Sequence, residues 1–126
     1  MRRSLRGAAG QSSVEFALSL PVIAFLALLL LQVGLLVRDQ VLVTHAAREA
    51  VRQAAVDPDA AAATAAARRS ARLDASHLVV MVTERGAPGG RVRVTVRYDA
   101  PTDVPVVGAL VGRIRLTAAA TMRVEQ

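Results

Sequence analysis

The hydrophobic pattern is dominated by one run of 22 residues, from Phe16 to Val37, that contains no charged side chain. As an α-helix this run is about 33 Å long, enough to cross a hydrocarbon core of about 30 Å. The main alternative is a secretory signal peptide, whose apolar region is usually about 7–15 residues and ends at a small-residue cleavage site. Because no such site follows Val37, we predict a transmembrane helix over residues 11–37.

Two helical segments are predicted after the run. The first continues the transmembrane helix to about Val56, because good helix formers extend that far and Pro58 must end the helix. Asp57 is the predicted N-cap of a second helix that has Pro58 at its first position and reaches to about Leu73. The second helix is mostly alanine, so it either packs closely against another element or is loosely held.

The pattern then changes to strands. Residues 78–83 form an apolar run typical of a buried strand, and the glycine-rich residues 86–90 predict a turn. Residues 91–98 and 114–124 alternate between apolar and polar side chains, which is the period of a strand with one buried face. We therefore predict a three-stranded antiparallel sheet whose apolar face lies toward the second helix.

The predicted fold class is α+β, with an N-terminal transmembrane helix that extends into a small domain containing the second helix and the sheet. Residues 1–10 form a basic cytoplasmic leader that is predicted to be cleaved, residues 11–37 the transmembrane helix, and residues 38–126 an exported domain. The connection from Val104 to Leu110 is unusually apolar for a loop. We expect it to pack on the sheet or on a partner.

The charge distribution predicts the orientation in the membrane. The chain has a formal net charge of +6, and all 16 of its basic residues are arginine. Arg2, Arg3 and Arg6 precede the apolar run with no acid among the first ten residues, which favours a cytoplasmic N-terminus. We predict a single-pass protein of the bacterial inner membrane with its C-terminal domain outside. No basic cluster is interleaved with stacking aromatic residues, so we predict no nucleic-acid partner.

The sequence contains no recognisable catalytic or metal-binding pattern, so we predict neither an enzyme nor a cofactor or metal site. Cysteine is absent, and His45 and His77 are far apart in the sequence. Arginines alternate along the second and third strands. They are explained by a solvated sheet face, or alternatively by a basic patch for anionic lipid or acidic partners.

A distinctive pattern lies just before the apolar run, from Gly10 to Ala17. Glycine has no side chain, so an extended backbone at Gly10 can lie close in a protease cleft. Glu15 stands where the membrane helix begins, and desolvation there is tolerable if a cation approaches the carboxylate. Cleavage after Gly10 would supply that cation as the new amine of Gln11. The alternative for Glu15 is an ordinary interfacial acid with no specific role.

These residues resemble the class III signal of type IV pilins. The run Val14–Leu18, followed by Pro21, resembles the TadE-like minor pseudopilins of the Flp (type IVb) pilus, which is made by the tight-adherence secretion system. Residues 46–52 resemble the helix that follows the membrane in that family, and residues 116–125 resemble its terminal strand.

The resemblance implies a minor pilin-like subunit that is cut between Gly10 and Gln11 by a prepilin peptidase. It implies that Glu15 and Phe16 are the residues needed for assembly. The partners would be other pilin and pseudopilin subunits and pilus assembly membrane proteins, and the helix would contact membrane lipid. Gln11 replaces the phenylalanine of many type IVa pilins, which argues against N-methylation. Phe16 replaces the tyrosine of major Flp pilins, and the chain is much longer than those pilins; both points favour a minor subunit.

The alternative function is a signal-anchored envelope protein whose outer domain binds another envelope component and has no role in a pilus. This alternative predicts that the leader is retained and that Glu15→Ala has no effect on assembly.

Overall fold

The computed structural model describes residues 5–125, with side chains described from residue 12 to residue 125. Its first element, α1, is a single helix from Leu5 to Val56 that includes Pro21 without ending there. At 52 residues the helix is about 78 Å long. The predicted continuation of the apolar helix into the domain is therefore confirmed.

The second helix, α2, runs from Ala60 to Ala71, and its N-cap is Asp59 rather than Asp57. The Asp59 carboxylate accepts a hydrogen bond of 2.9 Å from the backbone N–H of Ala61. Asp57 instead accepts one of 2.9 Å from the N–H of Asp59, which closes a turn around Pro58. The prediction that Asp57 caps the helix is wrong because this turn places Pro58 outside the helix.

The sheet contains three antiparallel strands in the order β1-β2-β3, as predicted. The strands are β1 (Leu78–Thr83), β2 (Arg91–Ala100) and β3 (Ile114–Arg123). A short 3-10 helix (Ala75–His77) precedes β1, and a five-residue helix, α3 (Val107–Val111), lies between β2 and β3. The α+β fold class is confirmed.

The apolar face of the sheet is covered mainly by α1, which contacts β2 and β3, while α2 contacts α1 and β1. The prediction that this face lies toward the second helix is therefore wrong for most of the sheet. The reason is side-chain size, since α1 contributes the fully buried Val43 and Val51. The buried residues of α2 are all alanines, which let it pack closely against α1: Ala63, Ala66, Ala67 and Ala71.

Two hydrogen bonds define how β3 lies on α1. The Gln40 Nε2 donates to the Thr117 carbonyl at 3.3 Å, and the Glu125 N–H donates to the Ala55 carbonyl at 3.0 Å. Residue numbers therefore rise together along the two elements, and β3 runs in the same direction as α1. The connection between β2 and β3 consequently lies toward the apolar end of α1.

Candidate functional site

The first half of α1 exposes an almost unbroken apolar surface. Phe16 is 64% exposed, and Leu18 and Leu30 are each 71% exposed. Soluble monomers rarely expose contiguous apolar patches of this size, because water contact with such a surface is unfavourable. The helix is long and apolar enough to cross a membrane. It therefore indicates a single-pass membrane anchor.

Glu15 lies at the start of this surface, next to Phe16, and its side chain is exposed. Among the side chains of residues 12–125, no cation lies within ion-pair distance of its carboxylate. The nearby Ser19 hydroxyl donates to the carbonyls of Glu15 and Phe16 at 3.0 and 2.9 Å, so it is satisfied within its own helix. The Glu15 carboxylate is therefore open to a cation from outside this part of the chain.

The predicted cleavage position lies one helical turn before Glu15. The backbone of Gly10 and Gln11 belongs to α1, whereas their side chains lie outside the described set, which begins at residue 12. Gln11 precedes Glu15 by four residues, a spacing that brings two positions onto one helix face. Gln11 and Glu15 are therefore one helical turn apart along α1. Cleavage itself stays a prediction.

A polar cleft adjoins the other end of the apolar run. Its charged lining residues are Arg38, Asp39, Arg72, Asp74 and Asp103, and we call this set the charged collar. Each of these charges favours water over hydrocarbon, so the collar marks a level of α1 that lies in water. In the described part of the chain, no group of three or more His, Asp or Glu side chains is arranged to hold a metal ion.

Tyr98 forms the floor of this cleft and is only 4% exposed. Burial raises the pKa of its phenol, and the nearby Asp39 carboxylate raises it further. Asp74 has the opposite shift: its carboxylate accepts from the Ser76 hydroxyl at 2.6 Å and from the Ser76 N–H at 2.9 Å, which lowers its pKa. These are structural roles, since Asp74 caps the 3-10 helix and Tyr98 fills the core.

The comparison with protein families identifies the N-terminal part of the chain. Residues 10–52 match the family of TadE-like protein. Over this segment the chain is similar to that family. The resemblance predicted from the sequence is therefore confirmed, and it indicates involvement in the tight-adherence pilus system. No curated protein and no solved structure matches the chain.

The TadE-like segment contains every residue predicted for cleavage and assembly, from Gly10 to Phe16. It also contains the exposed apolar surface and most of the part of α1 that packs on the sheet. The sheet itself lies beyond it, so the resemblance of residues 116–125 to the family's terminal strand stays a prediction.

The sequence analysis missed a contact between the outer domain and the TadE-like helix. Gln32, a polar residue within the apolar run, is only 3% exposed although most of the run is not buried. Its Oε1 has no hydrogen-bond partner within residues 5–125. The sequence feature that could have indicated this contact is the apolar connection after β2, in which Val104 and Val107 are buried.

Proposed function

We propose that the chain is a minor pilin-like subunit, a pseudopilin, that takes part in assembling a Flp-type pilus or a related secretion machine. In this proposal residues 11–37 span the bacterial inner membrane with the N-terminus in the cytoplasm, and residues 38–126 lie outside. The observation that carries it is the exposed Glu15, which has no ion-pair partner among the side chains of residues 12–125 and stands at the start of an exposed apolar helix within the TadE-like segment.

The first step in the proposal is removal of residues 1–10 by a prepilin peptidase. Cutting between Gly10 and Gln11 replaces a neutral amide with a positively charged amine at the end of the helix. The dipole of the shortened helix also places partial positive charge at its new N-terminus, which favours a carboxylate in the next turn. Removal of the arginines of the leader also releases the charge that holds this end on the cytoplasmic side.

The second step is association of the membrane helix with other pilin-like subunits and with assembly proteins of the membrane. Apolar surfaces gain little by meeting each other within lipid, because lipid tails are as apolar as leucine. A polar contact in that environment therefore contributes specificity, and the Glu15 carboxylate is the acid that the exposed surface offers for it. The adjacent Phe16 supplies apolar contact area at the same level.

The test is to measure association after the charge of Glu15 is removed without changing its size. We expect Glu15→Gln to leave the amount and membrane location of the protein unchanged, and to abolish co-purification with other pilin subunits from detergent-solubilised membranes. Glu49→Gln is the matched control, since Glu49 is an exposed acid on the same helix beyond the apolar run. Equal recovery of partners with Glu15→Gln and with the native chain would contradict the proposal.

The second candidate is the signal-anchored envelope protein whose outer domain binds another envelope component. It is favoured by one observation, namely that the sheet lies outside the TadE-like segment. The same co-purification distinguishes the two, because this candidate predicts that partners are retained by Glu15→Gln and lost when the outer domain is altered.

A further inference from the structure

The position of α3 along α1 follows from the alignment of β3. Gln40 lies at the same level as Thr117, because the Gln40 side chain donates a hydrogen bond to the Thr117 backbone carbonyl. Ile114, at the start of β3, lies about 10 Å before Thr117 at the usual rise of a strand. That distance equals about seven residues of helix. The start of β3 is therefore level with Val33, well inside the apolar run that ends at Val37.

The burial pattern of α1 agrees with this position. Leu28, Gln32 and Leu36 are spaced four residues apart on one face, and each is less exposed than its neighbours in sequence. Leu36 packs against the hydrophobic core, and Gln32 is almost completely buried. The helix α3 contacts α1 and is anchored by Val107, which is 1% exposed. The outer domain thus extends alongside the last turns of the apolar run.

The opposite side of this connection is apolar and uncovered. Val106 is 60% exposed, Leu110 71% and Val111 46%, and no charged residue lies between Asp103 and Arg113. We call Val106, Leu110 and Val111 the apolar tip. A methyl group on Gly108 would clash with the Thr102 carbonyl oxygen, so α3 rests directly against the preceding loop.

We propose that the apolar tip is a membrane-contact surface that dips into the outer leaflet of the bilayer spanned by α1. The tip adjoins the apolar run itself, so the hydrocarbon that surrounds α1 at the level of Val33 also reaches the tip. The level of Val33 is about 6 Å inside that of Val37, which is a depth at which interfacial elements bury their apolar side chains.

The charges on either side of the tip fit this arrangement. The charged collar places Arg38 and Asp39 of α1 together with Asp103 of the connection at the end of the apolar run. The exposed ion pair between Arg115 and Asp99 lies about one helical turn deeper, so the headgroup layer reaches that level on the side of the sheet. Arg113 follows the tip, and its long side chain can carry the guanidinium back toward the headgroups. Because the outer domain packs on α1, contact between the tip and the bilayer restrains the tilt of the two together. This inference rests on the membrane anchor and not on the pilus role.

The experiment uses single-cysteine variants of the full chain, which has no native cysteine. Leu110→Cys, Leu30→Cys and Val79→Cys are each labelled with an environment-sensitive fluorophore and reconstituted at low protein density into phosphatidylethanolamine–phosphatidylglycerol vesicles. Leu30 is an exposed residue of the apolar run, and Val79 is exposed on the outer sheet. Lipids carrying nitroxide and aqueous iodide serve as the two quenchers.

We expect the Leu110 label to be quenched by the nitroxide lipid to an extent similar to the Leu30 label and severalfold more than the Val79 label, with little quenching by iodide. Quenching of the Leu110 label by iodide alone would overturn the inference. Protection of that label from both quenchers would also overturn it, because the tip would then be covered by protein. If the Leu30 label were also not quenched by the nitroxide lipid, the membrane anchor itself would be refuted. That outcome is distinguishable from a failure of the tip contact alone.

Discussion

The close contact between α1 and α2 depends on small side chains, and enlarging one of them tests this packing. Ala67 of α2 is 0% exposed and belongs to the same core as Ala50 of α1. Ala67→Leu adds three carbon atoms at a fully buried position, and such overpacking costs about 1–3 kcal/mol. Leucine and alanine are both good helix formers, so helix propensity contributes little to the difference.

Ala61→Leu is the matched control, because Ala61 is exposed on the same helix. We expect the free energy of unfolding of that variant to stay within about 0.5 kcal/mol of the native value. The fluorescence of Tyr98, the one tyrosine in a chain without tryptophan, reports unfolding in a urea titration of the detergent-solubilised protein. With a urea dependence of about 1–3 kcal/mol per molar, a loss of about 2 kcal/mol moves the midpoint by about 1 M. Equal midpoints for the two variants would refute the packing argument.

Three further predictions concern local structure. Gly108→Ala places a methyl group against the Thr102 carbonyl and should destabilise the domain by about 1–3 kcal/mol in the same titration, whereas an unchanged midpoint would mean that α3 does not rest on this loop. Asp59→Ala removes the N-cap of α2 and should cost about 1 kcal/mol, and no loss would contradict the capping geometry. The pKa of the Tyr98 phenol is raised in the folded state. Below about pH 10 the phenol is neutral in both the folded and the unfolded chain, so its contribution to the free energy of unfolding is fully present; that contribution is lost as the pH rises through the folded-state pKa. Circular dichroism should show that Tyr98→Phe loses less stability than the native chain between pH 9 and 11, and equal losses would assign the alkaline sensitivity to other groups.

The features that sequence analysis predicted correctly are those that depend on local periodicity. The charge-free run Phe16–Val37 and the alternation of residues 91–98 are properties of neighbouring positions, so they identify the helix and the strand directly. The apolar sets of both strands must lie on one face, which excludes one-residue shifts in the register of β2 against β3.

The features that were missed depend on contacts between distant residues. Both helices are rich in alanine, and their pattern does not reveal that Val43 and Val51 of α1 fill the space over the sheet. Asp59 rather than Asp57 is the N-cap of α2 because of the local turn around Pro58. The burial of Gln32 depends on packing against residues distant in the sequence, which no periodicity determines.

The central claim is that the chain matures into a pilin-like subunit, and the mass of the protein in its native membrane tests this most directly. Intact-mass analysis of the membrane-extracted chain should give a protein that begins at Gln11 in cells with a prepilin peptidase. Cells without the peptidase, and Gly10→Leu in cells with it, should retain residues 1–10. A chain that keeps its leader in cells with an active peptidase would contradict the account, whereas loss of residues 1–10 only when the peptidase is present would uphold it.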